Sequence, residues 1–167
     1  LPTENVKPLG AITSEEATQW CALGTLLVPY GGFLAANLRP GETVLVSGAT
    51  GNFGSAAVSV ALAMGAACVV TPGRNEKILA DLVRRFGSRV LPVRLTGNED
   101  HDREAMKRAA PSPIDCVLDI MPPSVGPTVV RAAIMTVRPY GRVALMGGVG
   151  MLGGAGLDLP YPWIMRN

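Results

Sequence analysis

The stretch TVLVSGATGNFGSAAV, Thr43 to Val58, constrains this chain more than any other. Four β-favouring positions run into three glycines, Gly48, Gly51 and Gly54, spaced three apart, and small residues follow. A strand, a tight loop and a helix joined in this way point backbone N–H groups at a helix N-terminus, where partial positive charge meets an anion. Glycine there serves torsion and space. One allows the turn, one lets a pyrophosphate approach the backbone, and one lets the helix close on the strand. Read as A-x-G-x-x-G, the motif puts Ala49, Gly51 and Gly54 at the fingerprint positions, with Gly48, Thr50, Asn52 and Phe53 completing the cradle. The bland alternative is a tight turn without a ligand. The clean strand before, the small-residue helix after and a second strand about twenty residues on favour a dinucleotide. No Lys-Ser/Thr follows the glycines, which excludes a Walker-type phosphate loop.

The rest of the chain repeats the alternation. Residues 1–12 read as an extended lead-in, and Thr13 with Glu16 is a capping box opening a helix to about Ala22. A second helix spans roughly Leu26 to Asn37, with Pro29 marking a kink or a break between the two. Strands are expected at 43–48, 66–71, 88–93, 114–120 and 141–147, and helices at 52–65, Asn75–Phe86, 99–110 and 126–137. Strands apolar along their length and alternating with helices describe a parallel sheet covered on both faces. The expected fold is a doubly wound α/β sheet of the Rossmann type. The tail after 147 shows no clear sixth strand, so the expectation is a sheet lacking its last strand.

Composition sets limits. A hydrophobic content of 48% with 17% charge fits a packed globular domain, and 167 residues suffice for one core. The net charge of +2, with twelve arginines and three lysines dispersed, points to neither nucleic acid nor a membrane surface as partner. Cys21, Cys68 and Cys116 are far apart, form no C-x-x-C pair and fit a reducing, cytoplasmic setting. No apolar run is long enough to span a membrane as a helix.

The end of the second strand bears on which dinucleotide binds. NAD sites usually carry Asp or Glu there for the ribose hydroxyls. Here the segment is Thr71-Pro72-Gly73-Arg74-Asn75, with no carboxylate before Glu76. Gly73, Arg74, Asn75 and Lys77 are the candidate contacts, and Arg74 with Lys77 suits a 2′-phosphate. NADP is therefore favoured, with NAD the alternative, in which both cations are merely solvated at a helix start.

GETVLVSGATGNFGSAAVSVALAMGA, then GRNEK, IDCVLD and RPYGRVALMGG in order, resemble the cofactor domain of the medium-chain dehydrogenase/reductase superfamily, which includes zinc-type alcohol dehydrogenases and quinone oxidoreductases. The likeness runs from about Leu1 to Asn167, and the A-x-G-x-x-G form is nearer the quinone-reductase-like branches. It implies an NAD(P)-dependent oxidoreductase moving a hydride between nicotinamide and an alcohol, carbonyl or activated alkene. It also implies a separate N-terminal catalytic domain, with 1–12 as the linker leaving it and 13–167 as a truncated cofactor domain, not catalytic alone. The substrate is then a small molecule and the parent a homo-oligomer. Cys21-Ala-Leu-Gly-Thr25 resembles a segment whose Cys can ligate zinc and whose Thr25 packs on the nicotinamide. Zinc is implied for neither this chain nor, with certainty, its parent, and Cys21 as an apolar-helix thiol is the alternative. Gly147, Gly148 and Val149 match the loop that meets the nicotinamide carboxamide. The chain departs from the family after Asp119, where Ile-Met-Pro-Pro replaces a usual Val-Gly.

Other chemistries lack their residues. A short-chain dehydrogenase needs Tyr-x-x-x-Lys, but Leu34, Ala144 and Met165 stand four after Tyr30, Tyr140 and Tyr161. His101, the only histidine, sits in the polar run NEDHDRE and reads as a solvated helix residue. Asp115 and Asp119 read as the polar start and the cofactor-side end of one strand rather than an acid pair. A stand-alone nucleotide-binding or sensing module without turnover remains the alternative to an enzyme part.

Overall fold

A computed structural model describes residues 4, 6–122, 124–148 and 156–165. Thr13 caps α1 (Ser14–Trp20) as the capping box requires: its hydroxyl accepts from the Glu16 N–H at 3.2 Å, and the Glu16 carboxylate accepts from the Thr13 N–H at 2.8 Å. The break that follows lies at Cys21–Ala22, not at Pro29. Pro29 is buried inside α2 (Leu23–Ala35), where the helix forgoes the bond its missing N–H would have made to Thr25.

Five parallel strands follow: β1 (Thr43–Ser47), β2 (Cys68–Gly73), β3 (Val90–Arg94), β4 (Ile114–Asp119) and β5 (Val137–Leu145), in the spatial order β3-β2-β1-β4-β5. The helices between them are α3 (Asn52–Ala63), α4 (Glu76–Phe86), α5 (Glu99–Ala109) and α6 (Pro127–Ile134), and α7 (Tyr161–Ile164) comes last. One core holds Phe33, Val44, Val46, Ala57, Leu82 and Leu118 under α2, α3 and α4. The other holds Leu45, Met106, Val117, Val130 and Ile134 under α5 and α6. The sheet is doubly wound, as its apolar strands imply.

Three strands are displaced from their expected positions, β3 among them, which starts at Val90 rather than 88. β2 starts two residues later than 66: the Ala66 N–H closes the end of α3 on Ala61 O at 3.0 Å, and the Ala67 N–H donates at 2.8 Å to Glu42 O, in the segment just before β1. Its ladder to β1 ends at Leu45–Val70, before Pro72, whose missing donor therefore costs no bond on that side. Pro92 is likewise tolerated because β3 is an edge strand. β5 begins at Val137 rather than 141, which also ends α6 three residues earlier than expected. Val137 pairs with Ile114 and Arg142 with Cys116, so Arg138, Pro139, Tyr140 and Gly141 bulge opposite Asp115, with Tyr140 at φ +60°.

The N-terminal ends of the strands are cross-linked by polar groups. Asp115 accepts from the Thr43 N–H at 2.9 Å and from Arg138 Nε at 2.6 Å, and Arg142 pairs with Glu42. Burial, opposed in part by Arg142, pushes the Cys116 thiol up to about 11. Among the described residues no helix is long and apolar enough to cross a membrane.

Candidate functional site

The opposite end of the sheet is built differently. β1 and β4 are neighbours, and the helices after them leave on opposite faces, so a crevice opens above their C-terminal ends, the topological switch point of such a sheet. Two adjoining hollows of about 440 and 190 Å³ occupy it and share Gly48, Thr50, Met121 and Val125.

Its floor is the glycine loop. Gly48 has φ +92°, which only glycine adopts without strain, and its carbonyl accepts from the Gly51 N–H at 3.0 Å. A Cβ on Gly54 would stand 2.5 Å from the Gly48 carbonyl carbon and 2.8 Å from Ala49 Cα, so α3 closes on β1 only because residue 54 has none. Gly51 is the N-cap of α3 and provides no side-chain cap, which leaves the amides of the first turn open. Ala49 is fully buried and lines neither hollow. Asn52 and Phe53 line the hollow, and Phe53 is 43% exposed at its mouth.

The second hollow is walled by Pro72, Gly73, Arg74, Asn75 and Leu95. A Cβ on Gly73 would collide with the Thr50 methyl at 2.5 Å, so β2 and the glycine loop meet without a gap. Asn75 spends its side-chain oxygen on capping α4, accepting from the Ile78 N–H at 3.2 Å. Arg74 and Lys77 are exposed and neither forms an ion pair among the described residues. Glu76, the nearest carboxylate, is engaged by Arg94 at 2.6 Å. Arg94 has no signal in the sequence. It reaches this corner because the register pairs it with Gly73.

Gly147 and Gly148 are buried beside the same crevice. A Cβ on Gly147 would strike the Asp119 carboxylate and stand 2.7 Å from Met121 O, while the Gly148 N–H donates to Met121 O at 2.8 Å. Val149 lies outside the described residues. Thr25 is not brought into the crevice. With Cys21, Ser55 and Phe86 it lines a neighbouring groove of about 580 Å³ between α2 and α3, which joins the crevice through Asn52. Cys21 is exposed at the α1–α2 junction, not a core thiol. Among the described residues no three His, Cys, Asp or Glu side chains gather as metal ligands.

Asp119 and Ser47 are the residues whose importance the sequence understates. Both are buried at the ends of β4 and β1, and neither the carboxylate oxygens nor the hydroxyl has a hydrogen-bond partner among the described residues. Burial raises the Asp119 carboxyl above the ordinary carboxylate range; the nearby Ser47 hydroxyl and Met121 N–H, short of hydrogen-bond geometry, oppose it only in part.

The chain has counterparts among known proteins. Prostaglandin reductase 1 of Bos taurus is 35% identical over 133 residues, which are 77% of this chain and 38% of that protein. The quinone oxidoreductase of Thermus thermophilus, whose structures include a complex with NADPH, superposes with a TM-score of 0.68 at 26% identity, covering 100% of this chain and 49% of that one. The chain belongs to the medium-chain dehydrogenase/reductase superfamily, with the fold of its cofactor-binding domain. Within it, acryloyl-coenzyme A reductase of Metallosphaera sedula shares 45% identity over 74 residues, 41% of this chain and 22% of that protein. No protein-family model matches the chain. The chain spans less than half the length of each of these relatives.

Proposed function

We propose that this chain is the cofactor-holding part of an NADPH-dependent oxidoreductase that reduces an activated alkene or a carbonyl, with 13–167 as the dinucleotide domain and 1–12 as the lead-in from a catalytic domain. The observation that carries the reading is the crevice itself. A glycine loop closed to contact distance meets an uncapped helix N-terminus on one side and three cations, Arg74, Lys77 and Arg94, around the end of β2 on the other. The relatives' names, reductases of enone-like and quinone substrates, agree with it.

In this reading the open amides of Asn52, Phe53 and Gly54 take the pyrophosphate, helped by the α3 dipole. Arg74 and Lys77 take the 2′-phosphate, with Arg94 holding Glu76 away from it by ion pairing. Gly147 and Gly148 form the wall on the nicotinamide side, and Phe53 shields the mouth. When bound, the nicotinamide supplies the hydride. The chain's own residues orient the cofactor and exclude water from it.

Calorimetric titration at one fixed salt concentration tests this directly. NADPH is expected to bind at least ten-fold more tightly than NADH. Binding of neither overturns the reading. Tight binding, together with a native product of only this length by intact mass, turns it toward a stand-alone nucleotide module.

A further inference from the structure

Beneath the crevice lies a carboxylic acid that the fold leaves without a counterpart. Ser47 and Asp119 are register partners at the last positions of β1 and β4, and their side-chain oxygens are buried and, among the described residues, unpartnered. Asp119 is also stitched to the wall of the site. Its carbonyl accepts from the Met146 N–H at 2.9 Å, its carboxylate abuts Gly147, and the Gly148 N–H is held by Met121. The elements around it bring no charge: β1 presents Ser47, β5 Leu145, the segment after β4 Met121 and the loop after β5 two glycines. On α6, which packs on β4, the buried residues are apolar, and its one charged side chain, Arg131, is committed to Glu99 and the Asp158 carbonyl.

An ionised carboxylate in such surroundings needs a cation, and a cofactor that changes oxidation state brings one intermittently. The oxidised nicotinamide ring carries a positive charge and the reduced ring is neutral. We propose that Asp119 couples proton release to the binding of the oxidised cofactor: it stays a neutral acid when the crevice is empty or holds the reduced form, and gives up its proton to solvent when the oxidised ring sits at the Gly147–Gly148 wall. The inference rests on the cofactor reading above. The balance is one proton released for one cationic cofactor bound, with no electron transferred. Burial raises this carboxyl above the ordinary carboxylate range, and the exchange takes place as pH crosses that raised value. By linkage, the affinity for NADP⁺ rises with pH across that window while the affinity for NADPH does not.

The test is titration calorimetry of the chain with NADP⁺ and with NADPH, scanned upward from the ordinary carboxylate range to pH 8.5, in buffers of different ionisation enthalpy so that released protons are counted. The 2′-phosphate titrates near about 6 in both cofactors, so it cancels in the comparison. The NADP⁺-to-NADPH affinity ratio is expected to rise by up to about ten-fold per pH unit, with up to one extra proton released. In Asp119→Asn the ratio is expected to be flat. Ser47→Ala, which removes the nearest hydroxyl, is expected to keep the slope and move it to higher pH. A flat ratio in the unaltered chain, the outcome if only a trapped water satisfies Asp119, overturns the inference alone. So does a slope that persists in Asp119→Asn. Binding of neither cofactor overturns the cofactor reading and this inference with it.

Discussion

Adding one carbon to Gly54 separates the cost of packing from the cost of losing a ligand. A Cβ there would collide with the Gly48 carbonyl oxygen and lie 2.5 Å from its carbon, and ordinary contact begins at 3.4 Å, so the start of α3 must retreat by more than about 0.9 Å. The obstacle is backbone, with no rotamer to yield. Overpacking of this kind costs about 3 kcal/mol, the upper part of its usual range. Alanine returns roughly 1 kcal/mol of helix propensity, leaving a net loss of about 2 kcal/mol. For a chain of this size that is a fall of about 4–8 °C in Tm. The displaced amides should also weaken NADPH binding by at least ten-fold. Gly51→Ala is the control: φ is −85° and its Cβ would meet only Gly48 O, at 3.4 Å. Its Tm should stay within about 2 °C of the parent, a fraction of a kcal/mol. Its affinity for NADPH should fall, because the added methyl stands where the pyrophosphate approaches. Thermal unfolding followed by circular dichroism and calorimetric titration read the two effects. An unchanged Tm for Gly54→Ala would refute the reasoning, because the close approach would then not be what fixes glycine at that position.

Three further expectations follow from the same geometry. Arg74→Ala should lower the NADPH-to-NADH affinity ratio by about ten-fold or more, one charge-assisted contact being worth roughly 1.5–3 kcal/mol; an unchanged ratio in paired titrations removes Arg74 from the 2′-phosphate site. Under native conditions at pH 8 an alkylating reagent should label Cys21 quickly and leave Cys68 and Cys116 intact until denaturant is added, since both are buried and the Cys116 thiol lies at about 11; peptide mass mapping reads the pattern, and early labelling of Cys116 contradicts the burial. Because the folded state raises the Asp119 carboxyl above its unfolded value, that group's contribution is fully present below about pH 4 and is lost as pH rises through the folded value. Asp119→Asn should therefore gain stability relative to the unaltered chain on going from pH 4.5 to pH 8 in urea unfolding, and a difference independent of pH would show that Asp119 titrates normally.

The strand alternation makes the fold legible because a parallel sheet buried on both faces leaves nearly continuous apolar runs, and the expected bounds of β1 and β4 lie within a residue of the observed ones. The errors have local causes. Ala66 and Ala67 look like strand residues, but Ala66 is held by the end of α3 and Ala67 by Glu42 in the segment before β1. Val137 looks like the end of a helix because nothing short-range announces a bulge whose partner, Ile114, lies far back in the chain. The glycine loop is readable in full, since its spacing encodes torsion and contact that glycine alone satisfies. Arg94 is not, because only the β2–β3 register brings it beside Gly73 and Glu76. Likeness alone puts Thr25 on the cofactor, and it lies in the adjoining groove, which shares Asn52 with the crevice.

The two ends of the sheet divide stability from binding. At the N-terminal ends of the strands the polar groups are matched to one another: Asp115 with Thr43 and Arg138, Glu42 with Arg142, and the hydroxyls of Thr43 and Ser112 at 2.6 Å. Arg142 Nε is the one buried polar atom without a partner there among the described residues. At the C-terminal ends the inventory is left open, with an uncapped α3, a buried Ser47 hydroxyl, a buried Asp119 carboxyl and two exposed cations at the end of β2 without ion-pair partners among the described residues. Buried unsatisfied groups cost about 1–3 kcal/mol each, so a chain selected for stability alone would not concentrate them at one end. A ligand offering phosphates to the amides and cations, and a charge that comes and goes to the carboxyl, would offset that cost only when bound. That is the pattern expected of a cofactor site, and it explains why the same sheet is closed at one end and poised at the other.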